Sequence, residues 1–208
     1  MNVVITYCLI ALLFILNLEA NSSSDIKKYG IAFFTSVTGD SVIFKNNTIN
    51  RSISLHDSMI IDSESSLSTG DSDYVFFKIS NNTTFGLLEN TQFRIKSFKQ
   101  NVFQDKNIRL DREPSFSNFI STLNEGTIIV KSNGLSPLSV FEIHLPIPNI
   151  ILELYSVKAV ISYRYNILHI VLYEGNISLK TNDSTKYINA PKYYAVSYTH
   201  LTLPTNGT

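Results

Sequence analysis

The chain has 208 residues, of which 44% are hydrophobic and only 16% are charged. This length fits one domain or two small ones, and the hydrophobic fraction is too high for a disordered chain. The 17 basic and 17 acidic residues cancel, which argues against nucleic-acid binding, because that affinity needs a concentrated basic surface. The single cysteine, Cys8, excludes an intrachain disulfide and a cysteine-clustered zinc site.

The N-terminal segment has the pattern of a secretory signal peptide. An apolar run from Val3 to Leu18 is followed by the small residue Ala20 and then by a polar run. We therefore predict residues 1–20 to be a cleaved signal peptide and residues 21–29 to be a polar linker, which places the domain in the periplasm or outside the cell. An uncleaved single-span anchor is the alternative, although a bilayer span takes about 20 residues.

Most apolar segments after Tyr29 have the length and the β-branched and aromatic composition of strands. Short strands with turn residues every 8–12 positions predict an all-β sandwich of antiparallel strands. Residues 80–83, Ser-Asn-Asn-Thr, predict a hairpin turn. The predicted strands cover residues 31–34, 41–44, 73–79, 84–88, 93–98, 127–130, 140–145, 150–154, 159–163, 168–173 and 176–179.

Three segments do not fit the strand pattern. The spacing of Phe116, Phe119, Ile120 and Leu123 allows one or two helical turns after Pro114. Residues 99–115 are polar and charged, which predicts a long loop between two β halves. Residues 197–208 are uncharged and are predicted to be a non-native or disordered tail, so that the domain covers residues 30–196.

The histidines and nucleophiles give no catalytic pattern. His56, His144, His169 and His200 lack zinc-ligand spacing. We expect His144 and His169 to be structural residues of strands. No nucleophile elbow, dinucleotide-binding or P-loop motif occurs in the sequence. We therefore predict no catalytic, cofactor-binding or metal-binding residues, and a protein that is not an enzyme.

Two further groups of residues leave alternatives open. Glu142, Glu153 and Glu174 are candidates for a glycosidase pair, but the first two alternate with apolar residues, as outward-facing strand positions do. The clusters Tyr163-Arg164-Tyr165 and Tyr193-Tyr194 predict either core packing or a binding surface. The second reading would make the protein a carbohydrate-binding or adhesive β-sandwich at the cell surface.

The order of short motifs along the chain resembles the FecR domain, the periplasmic module of bacterial FecR-type proteins. In that family, glycine-containing turns separate alternating strands in a fixed order. The matching segments here are Val37-Thr38-Gly39-Asp40-Ser41-Val42, Leu67-Ser68-Thr69-Gly70, residues 74–79, residues 88–95, Leu123-Asn124-Glu125-Gly126 with residues 127–130, residues 169–179, and Tyr187-Ile188-Asn189-Ala190-Pro191. Two positions depart from the pattern: His56-Asp57 replaces a Gly-Asp approach, and residues 155–161 lack the family's Gly-Thr.

The resemblance implies a jelly-roll-like β-sandwich and a scaffolding or signal-relaying role in the bacterial envelope. It implies protein partners, with strand addition at a sheet edge as one route, and no catalytic residues. The cytoplasmic sigma-factor-binding segment of complete FecR regulators has no counterpart before the apolar run. The expected partner is therefore an unidentified envelope protein. We expect no binding to nucleic acid, and we expect membrane contact only if the N-terminal segment stays uncleaved.

Overall fold

A computed structural model describes residues 27–61, 64–101, 112–147 and 149–197. All 14 elements in this part of the chain are strands, which confirms the all-β prediction. They are β1 (Lys27–Thr38), β2 (Ile43–Lys45), β3 (Asn50–Ser52), β4 (Ser58–Ile61), β5 (Ser65–Ser68), β6 (Tyr74–Ile79), β7 (Thr84–Leu87), β8 (Gln92–Asn101), β9 (Ser117–Lys131), β10 (Val140–His144), β11 (Ile151–Arg164), β12 (Ile167–Lys180), β13 (Thr185–Asn189) and β14 (Lys192–Ser197).

The 14 strands pair in one continuous sheet, which folds into two layers that we call sheet A and sheet B. The layers share the long strands β9, β11 and β12, and they also meet where the start of β1 pairs with the end of β8. Sheet A has the order β4-β1-β6-β7-β9-β11-β12-β14, and sheet B has the order β3-β2-β5-β8-β9-β10-β11-β12-β13. The first half of β9 pairs with β8 and β10, and its second half pairs with β7 and β11. All pairings are antiparallel except β9 with β10, which is parallel. The prediction of antiparallel strands is therefore correct apart from this pair.

The core between the sheets is built around phenylalanine rings. Phe85 of sheet A stacks on Phe119 and Phe141 of sheet B, with ring centroids 5.4 and 6.0 Å apart. Phe119 and Phe141 stack on each other at 4.7 Å. Phe77 and Phe93 also contact Phe85, and all five rings are buried. Aromatic contacts across the interior therefore hold the two sheets together.

Several predicted boundaries were wrong. Predicted strands 150–154 and 159–163 are one bent strand, β11, and residues 168–173 and 176–179 likewise form β12. The predicted helical turns are absent, because β9 begins at Ser117 and runs through every residue of the predicted helical spacing except Phe116, with buried and half-buried residues alternating from Ser117 to Ser121.

The domain is also wider than predicted. Residues 27–29 of the predicted linker belong to β1, residues 99–101 of the predicted loop belong to β8, and Ser197 of the predicted tail ends β14. The predicted signal peptide and residues 198–208 lie outside the described residues. Within the described part of the chain, no helix is long and apolar enough to cross a membrane.

Candidate functional site

An apolar row crosses the outer face of sheet A. Register pairs connect Phe76 through Gly86 to Ile129, then to Val160, Val171 and Tyr193. Neighbouring positions on each strand, such as Val75 and Phe77, point into the core, so the row points outward. We define the apolar row as Phe76, Ile129, Val160, Val171 and Tyr193. Its first four residues are half-buried and Tyr193 is exposed.

A lysine row lies beside the apolar row. Lys78 pairs with Thr84, Thr84 with Lys131, and Lys131 with Lys158. We define the lysine row as Lys78, Lys131 and Lys158, all of which are exposed. Lys131 and Lys158 stand directly opposite each other, although like charges in this position destabilise a sheet. Lys158 Nζ also lies 3.7 Å from Oε1 of Glu174. Glu174, one of the three candidate glycosidase acids, therefore lies beside the lysine row on sheet A, whereas the other two lie on sheet B.

Exposed apolar side chains also lie on β1 and β4, in line with the lysine row. Phe33 stands opposite Lys78, and Ile31 stands opposite Ile60. All three apolar side chains are exposed. Solvent-facing apolar side chains grouped with charged residues on one sheet face are typical of an interaction site.

The opposite end of the apolar row is a sheet edge. Within the described residues β14 pairs with β12 alone, as β13 also does, and the other edges are β3 and β4. With 6 residues, β14 is the longest of these four strands. Tyr193 of β14 is held by a 2.8 Å hydrogen bond between its hydroxyl and Nδ1 of His169. Among the described residues, the apolar row therefore ends at a strand with one unpaired edge, which is the kind of edge that accepts an added strand.

The outer face of sheet B carries the other two predicted acids. Glu142 and Glu153 are direct cross-strand partners. Glu142 Oε2 lies 2.9 Å from Nε2 of His144, and Glu153 Oε2 lies 2.9 Å from Nζ of Lys180. Tyr155 follows Glu153 by two residues on β11 and therefore lies on the same face. Together with Tyr187 of β13, which stands opposite Ser178, these residues form what we call the acid–tyrosine cluster (Glu142, His144, Glu153, Tyr155, Lys180 and Tyr187).

The charges of this cluster shift three pKa values. Partial burial alone would raise the pKa of Glu153, but hydrogen bonds from Lys180 and Tyr155 and the Lys180 charge lower it overall. Partial burial, the hydrogen bond to Glu153 and the nearby negative charges raise the pKa of Tyr155 to about 12. The hydrogen bond to Glu153 raises the pKa of Lys180. These directions keep Glu153 as a carboxylate, Lys180 as an ammonium and the Tyr155 hydroxyl protonated at neutral pH.

The predicted tyrosine clusters do not form common surfaces. Tyr163 is only 5% exposed, and its hydroxyl donates to Oδ1 of Asn166 at 2.9 Å. Tyr165 is 88% exposed, at the turn between β11 and β12. Tyr194 is half-buried against the core while Tyr193 points outward. In each cluster one ring packs and one faces solvent. Alternation along β14 separates the consecutive Tyr193 and Tyr194, whereas Tyr165 is exposed because it lies in the turn after β11.

The histidines on strands have side-chain partners. His144 contacts Glu142, and His169 contacts Tyr193. His200 lies outside the described residues. The residues that the structure describes contain no group of three or more histidine, cysteine or acidic side chains able to hold a metal ion.

A buried carboxylate in the predicted loop was not anticipated. Glu113 is 7% exposed and accepts hydrogen bonds from the hydroxyls of Ser117 and Ser139, both at 2.5 Å, and from the backbone N–H of Ser136 at 2.8 Å. These bonds join the segment before β9 to the segment before β10. Because its carboxylate oxygens are satisfied, Glu113 has a structural role.

Comparisons of the chain with protein-family models, with curated proteins and with solved structures give no match.

Proposed function

We propose that this protein is a non-enzymatic, exported interaction module of the bacterial envelope, similar to a FecR domain, and that it binds a partner protein through the outer face of sheet A. The observation that carries the proposal is the apolar row beside the lysine row. The signal-peptide pattern and the ordered FecR-like motifs support export and the kind of role.

The chemistry of the face favours a protein partner with an apolar and acidic surface. The apolar row offers hydrophobic area, which drives protein association. The lysine row would contact acidic groups of the partner. These charge contacts would fix how the two proteins align and would increase the association rate. Lys131 and Lys158 stand opposite each other. Glu174 lies near Lys158 alone, so an acidic partner group would find its counter-charge at this pair.

The edge strand β14 is the second part of the proposed docking surface. An added strand would pair with its free backbone groups while its side chains meet the end of the apolar row at Tyr193. A partner that docks in this way extends sheet A by one strand and covers the adjoining face.

Residues that carry the FecR resemblance, such as Thr69 and Gly70, lie in turns that are held by hydrogen bonds, some of them to the neighbouring Asp73. The Thr69 hydroxyl donates to the carbonyl of Leu88 at 2.5 Å and accepts from the N–H of Thr91 at 3.0 Å. The Asp73 carboxylate accepts from the N–H groups of Gly70 and Ser41 at 3.2 and 3.1 Å. Such positions specify a fold rather than chemistry, which agrees with a binding role.

The state of the acids also favours binding over hydrolysis. A glycosidase acid needs a raised pKa, whereas the pKa of Glu153 is lowered and Glu142 is bonded to His144.

Site-specific photocrosslinking in the source cells tests the proposal. The full chain would carry p-benzoylphenylalanine in place of Phe33 or Tyr193, both of which are exposed aromatic residues of the proposed face. Tyr165 is the matched control, because it is exposed but lies at the β11–β12 turn. We expect one envelope protein to crosslink at Phe33 and Tyr193 and not at Tyr165. No adduct at the two face positions, or the same adducts at all three, would refute the proposal.

A further inference from the structure

The acid–tyrosine cluster contains two acidic side chains directly opposite each other, which is an unfavourable pairing for the stability of a sheet. Glu142 and Glu153 are in direct register on neighbouring strands, where Cβ atoms lie about 4.5–5.5 Å apart and like charges repel. Glu142 contacts His144, and Glu153 contacts Lys180. A solvated sheet face would be more stable with opposite charges or neutral residues at these two positions.

Two buried hydroxyls lie at the floor of the cluster. Ser178 stands between Glu153 and Tyr187 in the cross-strand row, and Thr122 stands opposite His144. They are 1% and 8% exposed, and neither hydroxyl has a hydrogen-bond partner within the described residues. A buried hydroxyl without a hydrogen-bond partner destabilises a fold, so both positions place an unsatisfied polar group beneath the polar surface of the cluster.

Two tyrosines add aromatic surface at the same place. Tyr187 is 70% exposed and Tyr155 is 45% exposed. The electron-rich face of a tyrosine ring attracts groups with partial positive charge, such as the C–H groups on one face of a sugar ring. Tyr155 lies two residues from Glu153 on the same face of β11, so its ring adjoins the carboxylate pair.

We propose that the acid–tyrosine cluster is a carbohydrate-binding site for a neutral sugar ring. The ring would stack on Tyr187 and Tyr155, its hydroxyls would donate to Glu142 and Glu153, and Lys180 would donate to a sugar oxygen. The polar pairing selects the ligand class: each carboxylate already has a nitrogen partner, His144 or Lys180, so the cluster offers hydrogen bonds to the hydroxyls of a neutral ring rather than an uncompensated charge to an ion. This site is on sheet B and is independent of the protein-docking face on sheet A.

Glycan binding by the full chain tests the proposal. The probe is an array of immobilised neutral oligosaccharides of glucose, galactose, mannose and N-acetylglucosamine, with phosphorylated sugars and choline as charged comparisons. We expect binding to one or more neutral glycans. Tyr187→Ala and Glu142→Gln should each weaken binding to these glycans at least tenfold, because they remove the stacking surface and a charged acceptor.

Two matched variants separate the site from general surface effects. Tyr165→Ala removes an exposed tyrosine elsewhere, and Glu174→Gln removes an exposed acid of sheet A. Both should bind the same glycans within twofold of the unmodified chain. Circular dichroism of every variant establishes that the fold is kept. Absence of neutral-glycan binding, binding only to a charged comparison, or equal losses in the matched variants would overturn the proposal.

Discussion

Gly175 approaches Ser156 so closely that a Cβ atom on Gly175 would lie 2.0 Å from the carbonyl oxygen of Ser156. The two residues mark the bend that β11 and β12 share. Gly175 has φ +82° and Ser156 has φ 46°, and the register between the strands shifts between Tyr155 and Lys158. The bend lets the same two strands leave sheet B and enter sheet A, so this contact connects both outer faces.

Gly175→Ala should destabilise the protein by more than the conformational penalty alone. A left-handed non-glycine residue costs about 1–2 kcal/mol, and here the new Cβ also meets backbone that cannot rotate away. Urea unfolding of the variant should show a loss above about 2 kcal/mol. A loss below about 1 kcal/mol would contradict the close approach.

Phe85→Ala should be among the most destabilising core substitutions. Phe85 contacts four other buried rings, and removing a buried phenylalanine ring typically costs about 3–5 kcal/mol. Phe33→Ala, at a 45% exposed position, is the control and should change the unfolding free energy by about 0.5 kcal/mol or less. Similar losses in both variants would contradict the assignment of inner and outer faces.

Glu113→Ala should loosen the segments that precede β9 and β10. The substitution leaves the donors of Ser117, Ser136 and Ser139 without their shared acceptor, at a cost of about 2–4 kcal/mol. Glu113→Gln keeps an acceptor and should lose less, and Glu89→Ala, at an exposed position, should be close to neutral. Hydrogen exchange should locate the added opening at residues 132–139. Unchanged protection there would contradict the role of Glu113.

Tyr155 should titrate later than an ordinary tyrosine. Because its folded-state pKa is raised to about 12 from 10.0, the unfolded chain loses this proton first as pH increases. Its contribution to stability is therefore complete below pH 10 and is lost between about pH 10 and 12. Difference absorbance at 295 nm between the unmodified chain and Tyr155→Phe should isolate a step near pH 12.

Glu153→Gln supplies the control for this titration. It removes the negative charge next to the Tyr155 hydroxyl, so the step should move to lower pH. A step that stays at the same pH in Glu153→Gln would show that the carboxylate does not contribute to the shift.

Local pattern was enough to predict the all-β class and individual strands such as β6 and β7. Alternation between apolar and polar residues marks a strand with one buried face, and Asn81-Asn82 marks the turn between these two strands. The helical turns predicted around Phe119 were wrong. The spacing looked helical because Ile120, an apolar residue, lies on the outer face of β9. Both faces of that strand therefore carry apolar side chains, and strict alternation is lost.

The two outer faces could not be predicted from the sequence. The members of the apolar row are separated along the chain, from Phe76 to Tyr193, and only strand register aligns them. The same holds for Glu142 and Glu153: their outward orientation was predicted from alternation, but their direct pairing depends on the turn between β10 and β11. Register is set by bulges and turns that composition does not encode.

The affinity of the crosslinked partner for charge-reversed variants of the full chain tests the central claim most directly. Lys131→Glu with Lys158→Glu reverses two charges of the lysine row, and Lys45→Glu with Lys96→Glu reverses two exposed lysines of sheet B, with the same change in net charge. If the outer face of sheet A is the docking surface, the first pair weakens binding at least tenfold, about 1.4 kcal/mol, with a loss that diminishes at high salt. The second pair then stays within twofold. Equal dissociation constants for the two double variants would contradict the assignment of this face.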